Sequence, residues 1–114
     1  MPKVLVQTSD RLRRVIDTGG GYYLEAHRGD TLIRRRGKSP IKDNRQLGQI
    51  APAWKTAGFV RVHRNHSVNP DHILEVRLRD NDRDWEIKLA PPVNRILPVS
   101  RNHLKHLWAA FGQK

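Results

Sequence analysis

Short apolar runs separated by turn-forming residues constrain this chain more than any other feature of its sequence. Most runs span four to eight residues, alternate between apolar and polar side chains, and end near glycine, proline, asparagine or aspartate. Runs of this length and period predict β-strands, and because few of them are separated by a crossover of about a dozen residues, they favour antiparallel pairing. We therefore expect a mainly β fold, with strands near residues 4–8, 12–17, 22–27, 31–36, 60–63, 72–79, 85–89 and 95–98.

The breaks between these runs have turn chemistry. They lie at residues 19–21, 28–30, 37–40, 80–84 and 90–94, and a short strand end is expected at 41–43. The Gly19-Gly20-Gly21 triplet permits positive φ, and neither a Lys-Ser/Thr pair nor a helix follows it. It therefore predicts a hairpin turn and not a phosphate-binding loop.

Two segments carry the helical period instead. In the first, at about residues 46–57, Leu47, Ile50 and Trp54 share one face. Asn44 is its expected N-cap, and Gly58 is placed to end it. Pro52 lacks an amide hydrogen, so we expect this helix to be short, kinked or restarted there.

The second helix, at about residues 100–112, follows Ser100 as its expected cap. Its apolar stripe consists of Leu104, Leu107, Trp108 and Phe111. We expect these aromatic side chains, like Trp54 and Phe59, to pack in the core. Of the adjacent Tyr22 and Tyr23, one should face the core and the other solvent, as alternation along a strand requires.

The charge balance indicates a polyanionic partner. The 114-residue chain carries 22 Lys and Arg against 11 Asp and Glu, a formal net charge of +11, and 15 of the basic residues are arginines. The planar guanidinium of arginine binds phosphate and guanine bidentately, which lysine cannot do. Nucleic acid is therefore the first partner to consider.

Composition also bounds the cellular setting. The absence of cysteine excludes disulfides and thiol catalysis and suits a reducing cytoplasm. No apolar run approaches the roughly 20 residues that cross a membrane, and the N-terminal segment lacks the apolar region of a signal peptide. We expect one cytoplasmic domain over residues 1–114, either complete or excised from a longer protein, with no membrane partner.

Two segments are candidates for the binding surface. The window 28–45 contains only Asp30 and Asp43 as carboxylates, which favours a phosphate-tracking surface over a solvated strand edge. Its basic residues are Arg28, Arg34, Arg35, Arg36, Lys38, Lys42 and Arg45. The second segment, G-F-V-R-V-H-R-N-H-S-V-N at 58–69, alternates over 60–63 and then becomes polar. It predicts a strand that ends in an arginine-bearing loop.

The histidines leave a metal-binding alternative open. His63 and His66 are three residues apart, as are His103 and His106, and H-R-N-H with N-P-D-H is faintly similar to metal-dependent HNH-type nucleases. Structural zinc sites usually include thiolates, and the strong positive charge repels a cation, so we expect no metal, no cofactor and no enzymatic activity. His63 should point inward as a hydrogen-bonded core residue. A metal-dependent nuclease and a ribosomal-type RNA-binding protein are the alternatives to DNA binding.

Four motifs in the same order resemble the LytTR DNA-binding domain of bacterial response regulators, over nearly the whole chain. The segment 58–69 is similar to the central signature of that family. Tyr23-Leu24-Glu25-Ala26 resembles its strand that ends in Glu-Ala before a turn. Residues 47–59 resemble its helix ending at Gly-Phe, and 73–76 its next strand. Pro98-Val99-Ser100-Arg101 resembles the start of its last helix.

The resemblance implies stacked short antiparallel sheets with flanking helices, and a transcription regulator whose loops enter successive major grooves of duplex DNA. It implies that Arg64 and Arg101 read bases and that Asn65 contacts backbone or base. The turn formed by Arg28, Gly29, Asp30 and Thr31 matches a third contact loop. Arg34 and Lys38 would neutralise phosphates and set the register on DNA. Direct repeats, a homodimer on DNA, and a regulatory domain or partner outside this chain are further expectations.

Overall fold

The computed structural model describes residues 2–113, which form ten β-strands, two α-helices and two short 3-10 turns. The strands are β1 Lys3–Ser9, β2 Leu12–Asp17, β3 Gly21–His27, β4 Asp30–Arg35, β5 Lys38–Asp43, β6 Val60–His63, β7 His66–Val68, β8 Ile73–Leu78, β9 Trp85–Leu89 and β10 Ile96–Val99. The helices are α1 Leu47–Thr56 and α2 Arg101–Ala110, and the 3-10 turns are Thr18–Gly20 and Pro70–His72. Within the described chain, no helix is long and apolar enough to cross a membrane.

The strands form three antiparallel sheets, which confirms the predicted mainly β fold with two short helices. One sheet is the β1–β2 hairpin, the second has the order β5-β4-β3-β7-β6, and the third has the order β10-β9-β8. Every strand pair is antiparallel. The Cα trace measures 47 × 25 × 23 Å, so the domain is elongated.

The five-stranded sheet separates two hydrophobic cores, because alternate side chains of its strands point to opposite faces. On one face the sheet packs against α1 and the β1–β2 hairpin, and on the other against the three-stranded sheet and α2. The first core contains Val6, Ile16, Leu24, Ile33, Ile41, Leu47, Ile50, Trp54 and Phe59. The second contains Tyr22, Tyr23, Val62, Val68, Ile87, Leu89, Leu97, Val99 and Leu107.

The N-cap of helix α1 lies two residues after the predicted one. Its N-cap is Gln46, whose amide donates to the side-chain oxygen of Gln49 at 3.0 Å. Asn44 is therefore not a helix cap, and the prediction was wrong on this point. Its amide donates to the carbonyl of Gln7 at 2.9 Å, and its side chain accepts from the Gln7 amide group at 2.8 Å. Asn44 thus ties the end of β5 to β1.

The helix continues through Pro52 without restarting, as a single ten-residue segment. The prediction that it would be short is confirmed, and the predicted C-terminal glycine is also correct. Gly58 follows the Ala57 C-cap with a φ of +102°, a conformation that glycine adopts without a Cβ clash.

The predicted break at residues 37–40 is wrong in part. Only Arg36 and Gly37 form the turn, with Gly37 at a φ of +64°, and β5 begins at Lys38 opposite Arg35. Pro40 lies inside β5 because that strand is at the edge of its sheet. An edge strand tolerates a residue that cannot donate a backbone hydrogen bond.

A β-bulge explains why both adjacent tyrosines are buried, contrary to the expectation that one faces solvent. Along β3, Gly21 is opposite Arg35 but Tyr23 is opposite Arg34, so the register shifts by one residue at Tyr22. The shift lets Tyr22 and Tyr23 both enter the second core, where each is less than a tenth exposed.

A second bulge changes the faces of β8. Regular alternation along a strand puts Ile73 on one face and Leu74, Val76 and Leu78 on the other. The register shifts between Ile73 and Glu75, so Ile73 and Val76 pack together against the second core, whereas Leu74 and Leu78 are exposed. Phe111, predicted as core, lies beyond the end of α2 and is 47% exposed.

Candidate nucleic-acid interface

Three junctions of the chain are joined by backbone hydrogen bonds at one side of the molecule. They are the β3–β4 turn at 28–29, the β6–β7 turn at 64–65, and the β10–α2 junction at 100–101. Ala26, in β3 two residues before the first turn, donates its amide to the carbonyl of Asn65 in the second turn at 2.9 Å. The Ser100 amide donates to the carbonyl of Val62 at 2.8 Å, which links the third to β6. We refer to residues 28–29, 64–65 and 100–101 as the contact edge.

The β6–β7 turn exposes the side chains of Arg64 and Asn65 while its backbone is held from inside. The Asn65 amide donates to Nδ1 of His63 at 3.1 Å. Arg61 donates from Nε to the carbonyl of His63 at 2.9 Å and from Nη2 to the carbonyl of Arg64 at 2.5 Å. The turn is thus fixed on a strand and presents an arginine outward, as the sequence predicted.

The β3–β4 turn presents Arg28 and Gly29 at φ values of +52° and +88°. Both are exposed, whereas Asp30 is partly buried and its carboxylate lies 3.6 Å from Nζ of Lys42. Thr31 is fully buried, and its hydroxyl donates to the carbonyl of Arg45 at 2.9 Å. Thr31 therefore supports the turn from within, and its side chain has no access to a ligand at this surface.

Arg101 is the first residue of α2, and its side chain is 76% exposed. Its guanidinium lies 4.0 Å from the carboxylate of Asp84, too far for a hydrogen bond. Ser100 occupies the N-cap position as predicted, but its hydroxyl lies 2.5 Å from Nδ1 of His103 and bonds no backbone amide of the helix. A cation at a helix N-terminus opposes the helix dipole, so Arg101 is poorly placed for stability and well placed for an anionic partner.

The structure binds Arg34 to an internal carboxylate and places Lys38 away from the contact edge. Arg34 donates to the carboxylate of Glu25 at 3.3 Å on the face that covers the second core. Lys38 is at the opposite end of β5 from Asp43, and five residues of strand at about 3.3 Å each separate these ends by roughly 17 Å. There Lys38 lines a cleft with Arg14, Arg35 and Arg36.

Glu25 organises a polar cluster that the sequence did not reveal. Its carboxylate accepts from Arg95 at 2.7 Å and from Arg34 at 3.3 Å, and it lies 3.3 Å from Nε2 of His66. Arg95 also donates to the hydroxyl of Tyr23 at 2.6 Å. Burial alone would raise the pKa of Glu25, but the Arg95 charge and the hydrogen bonds from Arg34 and His66 lower it overall. The cluster thus joins β3, β4, β7 and the loop before β10.

A second carboxylate, Asp43, anchors the end of β5 beneath the β3–β4 turn. It is fully buried and accepts from Nε and Nη2 of Arg45 at 3.0 and 2.8 Å and from the amide of Gln7 at 3.1 Å. Burial would raise the pKa of Asp43, but the Arg45 and Gln7 hydrogen bonds lower it. Arg45 is therefore committed to the fold. No pattern in the sequence distinguishes this internal pair from the surrounding surface charges.

His63 and His66 have hydrogen-bond partners within the fold. His66, and not His63, is the buried histidine, so the expectation that His63 is a core residue was wrong. Burial lowers the pKa of His66, although Glu25 opposes that effect. Burial, followed by the charges of Arg64 and Arg61, lowers the pKa of His63. In the described part of the chain, no three His, Asp or Glu side chains converge as a metal-binding group.

Comparison with known proteins agrees with this architecture. The family profile described as the LytTr DNA-binding domain matches residues 14–112. No curated protein matches the chain significantly. Among solved structures, the fold is similar to the LytTr DNA-binding domain of a methyl-accepting/DNA response regulator from Bacillus cereus, with a TM-score of 0.73 and 20% identity over 96% of each chain. At that identity the structural likeness establishes the fold, and the profile match establishes the family. The chain belongs to the LytTr DNA-binding domain family, whose members bind DNA in bacterial transcription regulation.

Proposed function

We propose that this domain reads duplex DNA sequence-specifically by placing the arginines of its contact edge in the major groove. The observation that carries the proposal is that three exposed arginines, Arg28, Arg64 and Arg101, lie on junctions whose flanking segments are tied together by backbone hydrogen bonds. Arg64 and Arg101 read base edges, Arg28 and Gly29 approach the backbone at a third turn, and Asn65 contacts backbone or base beside Arg64.

The chemistry of guanidinium groups supports this division of roles. Arginine donates in parallel to O6 and N7 of guanine, and one such pair discriminates against a wrong base by about 1–3 kcal/mol. A reading arginine must be exposed and without a tight carboxylate, and both Arg64 and Arg101 meet this requirement within residues 2–113. Arg34 does not, because it is bound to Glu25.

The dimensions of the domain support contact with more than one groove. Its longest extent is 47 Å. One turn of B-DNA is about 34 Å, so a domain of this length can reach successive major grooves on one side of a duplex. We extend the proposal to two copies on direct repeats, as a homodimer on DNA, under the control of a regulatory domain or partner outside this sequence. A regulator of this kind acts on the bacterial chromosome and therefore in the cytoplasm.

Binding selection from random duplexes tests the proposal. Wild type, Arg64→Ala, Arg101→Ala and Arg36→Ala would be compared at one salt concentration. Arg36 is an exposed residue of the β4–β5 turn near Lys38. Arg36→Ala therefore removes the same charge as the other two variants, but away from the contact edge. We expect Arg64→Ala and Arg101→Ala each to lose preference at a different base position, whereas Arg36→Ala keeps the wild-type motif.

Two other results would overturn the proposal. The first is full sequence discrimination by both contact-edge variants, which would show that other residues read the bases. The second is preferential binding of structured RNA over duplex DNA at equal salt, since salt alone shifts affinity for both nucleic acids. Incubation with plasmid and magnesium, manganese or zinc covers the nuclease alternative, for which nicking is the positive result.

A further inference from the structure

We infer that Arg61 is a positioning residue for base reading, which holds the Arg64 turn in the shape that aims Arg64 at DNA. The inference rests on the proposed function of Arg64. The observation behind it is the paired hydrogen bond from Nε and Nη2 of Arg61 to the carbonyls of His63 and Arg64, at 2.9 and 2.5 Å. Two donors of one planar group thus fix two successive peptide units.

The turn needs such support because its own sequence does not favour the shape. His63 and His66 are paired, so Arg64 and Asn65 are the two residues of a hairpin connection. The favoured two-residue hairpin turns have positive φ at one or both central residues. Neither Arg64 nor Asn65 has positive φ. The turn therefore depends on the bonds from Arg61, on the His63 Nδ1 that accepts from Asn65, and on the Ala26 amide.

The environment of Arg61 is unusual for a purely stabilising arginine. Burial lowers its pKa, and no carboxylate of residues 2–113 is among the causes that act on it. Arg64, whose carbonyl it contacts, is a cationic neighbour, and burial together with the charge of Arg61 lowers the pKa values of His63 and His103. A partly buried cation without an acidic partner destabilises the fold. Arg61 therefore contributes through its two hydrogen bonds to the turn carbonyls.

The consequence for DNA binding should be local. Arg61 bonds the β6–β7 turn, whereas the Arg101 junction is held by the bond from the Ser100 amide to the Val62 carbonyl and by the bond between the Ser100 hydroxyl and His103, and Arg61 takes part in neither. Loss of the clamp should therefore weaken discrimination at the base that Arg64 reads and leave the Arg101 position intact. Lysine keeps the charge but has no planar fork, so Arg61→Lys should fail to restore the reading geometry.

The test uses Arg61→Lys and Arg61→Gln, together with Arg64→Ala, both double variants and Arg36→Ala as the charge-matched control. Duplexes that differ from the selected motif only at the Arg64-dependent base give a discrimination ratio for each protein. We expect the ratio to fall roughly 5- to 150-fold in Arg64→Ala, the range for one bidentate contact. Arg61→Lys should lose most of the same ratio, and the double variant should lose little more. Thermal melts identify variants that are unfolded, and Arg61→Lys preserves the test if Arg61→Gln does not fold.

Each outcome of this experiment has a single interpretation. If Arg61→Lys keeps the wild-type ratio at the Arg64-dependent base, the positioning role is wrong. Equal weakening on every duplex, additive with Arg64→Ala, would also overturn it, since that is the behaviour of a phosphate contact. If the wild-type protein has no sequence preference, the proposed function fails, and that failure is visible before any Arg61 variant is considered.

Discussion

Gly21 begins β3 beside Phe59 and Trp54 of the first core, and substitution by alanine tests how tightly that core is packed. Its φ of −84° and ψ of 137° are ordinary extended values, so alanine fits the backbone. A Cβ there would lie 3.0 Å from Cζ of Phe59, 3.3 Å from the Thr18 carbonyl oxygen and 3.6 Å from Cζ3 of Trp54. The two rings are buried and pack edge to face with centroids 4.8 Å apart, so neither can move without disturbing the core.

The expected magnitude comes from two opposing effects. Overpacking a well-filled core costs about 1–3 kcal/mol. Replacing glycine by alanine restricts the unfolded chain and returns about 0.4–1 kcal/mol. We therefore expect Gly21→Ala to lower the free energy of unfolding by about 1–2 kcal/mol, which corresponds to a Tm decrease of roughly 4–8 °C for a domain near 100 residues.

Gly20→Ala is the matched control, measured by urea denaturation and thermal melts beside the wild type. A Cβ at Gly20 has nothing within 4 Å, and its φ is not positive, so this variant should equal or slightly exceed the wild type in stability. If Gly21→Ala unfolds at the wild-type urea concentration, the steric reasoning is refuted. If both variants lose the same stability, the cause is the chain conformation around Thr18–Gly20 and not contact with Phe59.

Two further perturbations follow from the buried charges. Glu25→Gln leaves Arg34, Arg95 and His66 without their carboxylate. Breaking a buried pair costs about 3–5 kcal/mol, but the two arginines are more than a third exposed, so we expect a loss of about 2 kcal/mol in urea denaturation. Unchanged stability would contradict the role of Glu25 as a hub. The second perturbation is acidification. Four histidines have lowered pKa values in the fold, so the unfolded chain binds protons first as the pH falls below about 6.5, and stability should decline between pH 7.5 and 5.5. They are His63, His66, His72 and His103. The free energy of unfolding falls by at most about 1.4 kcal/mol per pH unit for each proton. The pKa values of Glu25 and Asp43 are lowered from 4.5 and 3.8, so the stability that these carboxylates contribute is lost only below that pH range. Stability that stays constant from pH 7.5 to 5.5 would contradict the pKa directions.

Sequence periodicity predicted the strands well wherever a strand keeps a regular register. The bounds of β2 and β9 are as predicted, because each is a short regular strand bounded by turn residues. Periodicity failed at the bulges of β3 and β8, since one extra residue reverses the faces without changing composition. The prediction of a hairpin turn at the glycine triplet was wrong: residues 18–20 form a 3-10 turn between strands of two different sheets, and none of the three glycines has positive φ. Gly21 is instead required for close approach to Phe59 and Trp54, which are distant in sequence, so no local pattern contains this requirement.

The candidate site was predictable as a set of turns, but the role of each basic residue was not. Among the cations of the window 28–45, Arg34 and Arg45 are bound to Glu25 and Asp43, Lys42 lies near Asp30, and Arg35 donates to the carbonyl of Ser39. Arg34 meets Glu25 because they are diagonal neighbours on adjacent strands, a relation fixed by pairing and invisible in the sequence. Charge content alone therefore does not distinguish cations with intramolecular partners from free ones, and Arg28 is the basic residue of this window in the contact edge. Under the proposed function, specificity depends on the exposed arginines of turns that backbone bonds hold in place, so substitution of Arg64 should alter base preference far more than substitution of Arg34.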